Sequence, residues 1–152
     1  MPAITARVVL LFVASATLAV ISCFYWRSDA YRLSLFHANR SEYETLLSML
    51  QRDERLTFIN DGLTEPEDPS IKGISPKRIA EYRRHMSNIG CGAIRYEPFI
   101  GSAVFVSNWG RNTDILYFPM RSAEDAKSHG VPLTPAQAHH IEGGWYLTSE
   151  NF

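Results

Sequence analysis

The sequence predicts an α+β fold: an N-terminal transmembrane helix, then two amphipathic helices packed on a four- to five-stranded antiparallel sheet. Three observations carry this. Apolar residues recur at helical spacing in two stretches between residues 29 and 90. After Gly92 the period changes to that of short strands joined by short turns. Ahead of both, residues 8–26 contain no charged side chain. The chain therefore divides into an anchor, residues 1–27, and a soluble domain, residues 28–152.

Arg7 and Arg27 bracket the nineteen residues VVLLFVASATLAVISCFYW. As a helix this run is about 28 Å long, close to the roughly 30 Å hydrocarbon thickness of a bilayer. Phe24, Tyr25 and Trp26 fall where the headgroups begin, the arrangement of an aromatic belt. A cleaved secretory signal fits less well, because its apolar region is shorter and its small-residue site lies at the end. Val20-Ile21-Ser22-Cys23 resembles the box at which bacterial lipoproteins are acylated, which would make Cys23 a lipid anchor on the same membrane. The short basic start favours an N-terminus inside and the domain outside the cytoplasm, whereas Arg27, Arg32 and Arg40 pull the other way.

From 29 to 52 the apolar positions Phe36, Tyr43, Leu46, Leu47 and Leu50 form one helix face, opposite Arg40, Glu42, Glu44 and Gln51. A short extended run, 56–60, stops at Asp61-Gly62 and opens the loop GLTEPEDPSIKG, whose acids lack the spacing of a calcium loop. Ser75 then reads as an N-cap, Pro76 as the first helical residue and Gly90 as a left-handed C-cap. Within that second helix Ile79, Tyr82, Met86 and Ile89 make the buried stripe, and Lys77, Arg83 and Arg84 face water.

Residues 93–98, 101–109 and 113–119 are short strands separated by Pro-Phe-Ile-Gly and Gly-Arg-Asn turns, which implies an antiparallel meander. Residues 120–140 read as a long loop, and 144–149 as a last strand with Trp145 and Leu147 on one face and Tyr146 on the other.

Composition bounds function by exclusion. At 152 residues, 45% hydrophobic and 20% charged, the chain has room for one globular domain beside its anchor. From Arg27 onward it carries a net charge of −2 and lacks the basic stripe of a nucleic-acid binder. His139, His140 and Glu142, with His129 upstream, are too few and too poorly spaced for a zinc site, since neighbouring strand residues point to opposite faces. Cys91, between Gly90 and Gly92, has only His85 nearby as a base and reads as a small buried residue. No catalytic, metal or cofactor site is predicted, and no glycine run cradles a phosphate.

The apolar span, the segments FHANRSEYETLLSML and SPKRIAEYRRHMSNIG, and the strand HIEGGWYLTSE together resemble a family of small bacterial single-pass membrane-anchored proteins with a C-terminal HIEGxWYL-like strand. The resemblance implies an anchor and an α+β domain, and brings no activity and no site residue with it; the expected location is the bacterial inner membrane.

The expected function is that of a membrane-anchored binding or accessory module, inhibitor- or immunity-like, whose partners are the lipid bilayer through residues 8–26 and a second protein. Its expected contact surfaces are the basic helix face at Arg83 and Arg84 and the exposed part of the last strand, Trp145 and Tyr146. Two alternatives stand beside it. One is an enzyme whose site is assembled from residues scattered in sequence, among His85, Cys91, His139, His140 and Glu142. The other is a subunit of a larger membrane complex recruited through the span.

Overall fold

A computed structural model describes residues 29–108, 114–119 and 138–148. The apolar run 8–26, with Cys23, lies outside the described residues. Among the described residues no helix is long and apolar enough to cross a membrane. The chain divides between Leu35 and Phe36, and the unit from Phe36 onward holds the sheet and its core.

Three α-helices, α1 (Asp29–Ala38), α2 (Arg40–Arg52) and α3 (Pro76–Asn88), accompany seven strands. These are β1 (Phe58–Asn60), β2 (Thr64–Glu65), β3 (Cys91–Glu97), β4 (Ser102–Ser107), β5 (Asp114–Tyr117), β6 (Ala138–Glu142) and β7 (Trp145–Thr148). They form one sheet in the order β2-β1-β3-β4-β5-β7-β6, and every neighbouring pair is antiparallel.

The α+β class and the β3–β4–β5 meander agree with the sequence reading, while three details correct it. The helix expected over 29–52 is two helices. Asn39 adopts φ −112° and ψ 17°, its amide bonding back to the Phe36 carbonyl at 3.1 Å and its own carbonyl accepting from Glu42 and Tyr43. Asparagine is a weak helix former, and here it ends one helix and starts the next. Across this break the Phe36 and Tyr43 ring centroids lie 5.2 Å apart.

The sheet has seven strands rather than four or five. The loop after Asp61 contains β2, two residues long, where Asn60 Oδ1 accepts from the Gly62 and Leu63 amides to close the hairpin. It also contains a short 3₁₀ helix, Pro69–Lys72, capped by Asp68, which accepts from the Ser70 amide. Strand β6 was expected as a polar approach to the last strand. Its residues His139 and His140 are exposed, so hydrophobic alternation does not reveal it, and only pairing to β7 makes it a strand.

Register fixes which residues share the core face. Ile59, Ile94, Phe105, Ile115 and Leu147 stand opposite one another across five strands and all are buried. Leu46, Met49 and Leu50 of α2 and Ile79, Tyr82 and Met86 of α3 are buried too, with α3 lying against both β3 and α2. On the other face Leu116 and Phe118 form a smaller buried cluster with Ile100, Val104 and Tyr146 against it. A one-residue slip would exchange the two faces, so the apolar pattern sets the pairing.

Trp145 is the hub of an aromatic cluster. Its ring lies 5.3 Å from Phe36, 5.8 Å from Tyr43, 5.7 Å from Phe105 and 4.9 Å from Tyr117. The Arg40 guanidinium sits 5.6 Å over Trp145 and 5.3 Å over Phe36, and is itself held by Glu44 at 2.8 Å and by Glu142.

Replacing Trp145, 2% exposed, by alanine removes the centre of five side chains. We expect Trp145→Ala to lower unfolding stability by about 3–5 kcal/mol. Phe99→Ala, at a position 97% exposed, should change it by less than about 0.5 kcal/mol. Urea denaturation followed by circular dichroism measures both; equal midpoints for the two variants would refute the hub.

Candidate functional site

Polar side chains capable of chemistry concentrate along α3. Ser75 Oγ accepts from the Arg78 amide at 3.2 Å and Pro76 occupies the first turn, so the helix starts where the sequence places it. Its C-terminal turn ends at Gly90, whose φ of 65° favours glycine. With Ile79, Tyr82 and Met86 facing inward, Arg78, Arg83 and His85 flank the buried stripe, and Lys77, Ala80, Arg84 and Ser87 form the exposed one.

The flanking residues tie α3 to its neighbours. Arg78 Nε donates to Asp53 Oδ2 at 2.7 Å and Nη1 to Glu81 at 2.9 Å, while Tyr82 Oη donates to the same Asp53 oxygen at 3.0 Å. Burial opposes the Arg78 charge, and the Asp53 and Glu81 bonds outweigh it, holding its pKa above the ordinary value. Burial first, and the Asp53 charge second, push the Tyr82 phenol up. Arg83 Nε donates to the Asn60 carbonyl at 3.0 Å, fixing α3 to the end of β1.

Near the other end of α3, His85 Nδ1 meets Glu42 Oε2 at 2.5 Å and Asn88 Nδ2 donates to Glu42 Oε1 at 3.3 Å. Arg84 approaches His85 Nε2 at 3.2 Å. Because arginine only donates, this geometry assigns the acceptor role to Nε2 and lets Nδ1–H donate to Glu42. The His85 bond holds the Glu42 carboxyl below its usual range against the opposing effect of burial.

A carboxylate-oriented imidazole of this kind can serve as a base, but it needs a nucleophile or substrate atom in reach. The other scattered candidates have partners elsewhere. Cys91 is 3% exposed and its thiol donates to the Ala93 carbonyl; burial pushes it up to about 12, so it stays a thiol at neutral pH. His139 and His140 are exposed on β6, with His140 Nε2 donating to the Gly143 carbonyl at 2.9 Å and its ring 5.1 Å from Tyr146. Glu142 pairs with Arg40. His129 lies outside the described residues. Among the described residues no three His, Cys, Asp or Glu side chains come together as a metal cluster.

The four residues expected at a contact surface are thus placed differently. Trp145 is in the core and Tyr146 is half-buried against Leu116 and Phe118. Arg83 is half-buried and bonded to Asn60, and only Arg84 stands on an exposed helix face. Sequence reasoning missed the roles of Glu42 and Asp53, whose partners lie 43 and 25 positions away. It also missed Asp114, a buried carboxylate that burial pushes above its ordinary pKa despite the Ser107 amide. Comparison with family models, curated proteins and solved structures returns no match for this chain.

Glu42 and Asp114 give opposite pH signatures. Glu42 has a lowered folded pKa, so its contribution is complete above the unfolded value of 4.5 and is lost as pH falls through the folded one. Asp114 has a raised folded pKa; the native state is favoured below 3.8 and loses stability as pH rises through the raised value. Glu42→Gln should therefore lower the Tm at neutral pH and do so progressively less in acid. Asp114→Asn should raise the Tm at neutral pH and leave it unchanged well below 3.8. Thermal melts of both variants across the acid range check the signs, and parallel rather than opposed trends would contradict them.

Proposed function

We propose that this chain is a membrane-anchored binding module that presents the outer face of α3 to a protein partner of acidic surface. One observation carries the reading: α3 spends its flanking cations Arg78 and Arg83 on its own domain and keeps Lys77 and Arg84 on an exposed stripe with Ala80 and Ser87. Ala80 between the two cations, and Ser87 beyond Arg84, leave a face that another surface can approach closely. Among the described residues Lys77 makes no ion pair, and Arg84 meets the His85 ring at 3.2 Å with its charge also acting on Glu42 and Glu81. The apolar run 8–26 would hold this face near one side of the bacterial inner membrane, as the resemblance to small anchored proteins also implies.

The dispersed partners of His85, Cys91, His140 and Glu142 support binding over catalysis. Complementary charge on a partner chiefly accelerates encounter and rejects wrong partners.

The test is quantitative capture from detergent-solubilised membranes with the full chain and with a Lys77→Glu, Arg84→Glu double variant. Both positions are exposed, so the variant should melt within a few degrees of the parent. A protein recovered by the parent and lost at least about ten-fold with the variant supports the reading, since two reversed charges across an interface cost well over 1.4 kcal/mol. A partner captured equally by both places the contact elsewhere, and repeated capture of nothing removes the reading.

A further inference from the structure

Arg84 and His85 are consecutive on α3, and consecutive helical side chains point about 100° apart, so they do not ordinarily meet. Here they do. Arg84 Nη2 lies 3.2 Å from His85 Nε2, while the other ring nitrogen, Nδ1, meets Glu42 Oε2 of α2 at 2.5 Å. Asn88 Nδ2 donates to the second Glu42 oxygen at 3.3 Å. The ring is thus gripped on both edges, its side chain only 13% exposed, and the guanidinium on the outer edge belongs to the exposed stripe of Lys77 and Ala80.

The two grips respond to a proton in opposite ways. Arginine donates and never accepts, so the Arg84 contact requires a lone pair on Nε2. The Glu42 contact requires a hydrogen on Nδ1, which a doubly protonated ring retains. Proton uptake at Nε2 therefore removes the Arg84 bond, sets two cations against each other and leaves Glu42 in place. The other charges on the packed elements have partners or positions of their own. On α3, Glu81 feels both His85 and Arg84, but it accepts from Arg78 at 2.9 Å. On α2, Arg40 and Glu44 pair with each other, and Arg52 stands at the far end of the helix. On β3, which also packs on α3, burial pushes Cys91 and Tyr96 up, so both are neutral. Arg95 and Glu97 of that strand are exposed and alternate to the sheet face opposite Ile94.

We propose that His85 is a proton-operated latch on Arg84: the neutral ring holds the guanidinium back, and protonation at Nε2 frees it to the outer face of α3. The proposal rests on the reading of that face as a contact surface for an acidic partner and adds its regulation. Histidine is the side chain that ordinarily changes charge between about pH 5 and 8, a window in which a partner's carboxylates stay ionised. Mild acidification therefore strengthens the contact, by roughly two- to ten-fold, the worth of the one exposed hydrogen bond that Arg84 no longer has to break.

The experiment follows the side-chain nitrogens of isotope-labelled histidine and arginine by NMR, in the full chain held in lysophosphatidylglycerol micelles, from about pH 8 to pH 5. The parent is compared with Glu42→Gln and with Arg84→Gln; Arg84 is exposed, so the second variant keeps the fold. At the alkaline end we expect the His85 proton on Nδ1. The Arg84 Nη signals, slowed in exchange with water while bonded, should become solvent-like as Nε2 takes its proton. Removing the Glu42 charge should move the transition to lower pH and removing the Arg84 charge to higher pH, each by roughly half a pH unit. A ring protonated on Nε2 at the alkaline end, an Arg84 signal unchanged through the transition, or variants that move the transition in the same direction overturn the inference. The contact-surface reading stands or falls separately, on capture by the charge-reversed chain.

Discussion

The packing of Phe36, Tyr43, Phe105 and Tyr117 around Trp145 is the constraint on which the rest of this domain depends. It joins positions 109 residues apart, the first residue of the unit and the first residue of β7. Aromatic side chains bury roughly 150–250 Å² each, more than any aliphatic alternative at these positions. Their tilted and edge-on contacts also fix orientation, which area alone does not. With Trp145 seated, β7 pairs with β5 in one register and α2 crosses the sheet at one place. Arg40 then finds both Glu142 and the ring faces without further adjustment.

Helix α3 shows how apolar and polar contributions divide the work. Burying Ile79, Tyr82 and Met86 supplies about 1.5–3 kcal/mol apiece, whereas partly exposed ion pairs such as Arg78–Asp53 supply roughly 1 kcal/mol or less. Packing therefore holds the helix, and the polar ties decide its rotation and axial position. Arg78 reaches the end of α2, Arg83 the end of β1 and His85 the start of α2. A helix pinned at three points along its length keeps its outer face still, which is what a recognition surface requires.

The parts of the fold legible in the sequence are those in which one residue pattern determines the outcome. Ser75, Pro76 and Gly90 mark the ends of α3 because capping is local chemistry. Ile94, Phe105, Trp145 and Leu147 announce core strands by alternation. The break at Asn39 is not legible, since asparagine is tolerated inside helices and the apolar spacing continues across it. Strand β6 was hidden because an edge strand need bury nothing. At the candidate site the same limit applies more severely. Arg83 and Arg84 are adjacent and alike in sequence, yet one bonds the Asn60 carbonyl and the other faces water. Their difference is a matter of about 100° around the helix and of what stands opposite.

Strand order carries a consequence for the edges of the sheet. β7 lies between β5 and β6 although it follows both in the chain. Without Trp145–Thr148, β5 would keep one edge unpaired and β6 would have no partner in the sheet. Such an edge is a template for pairing with other chains. That edge is closed only by the last strand of the sheet to appear in the sequence, the four residues Trp145–Thr148.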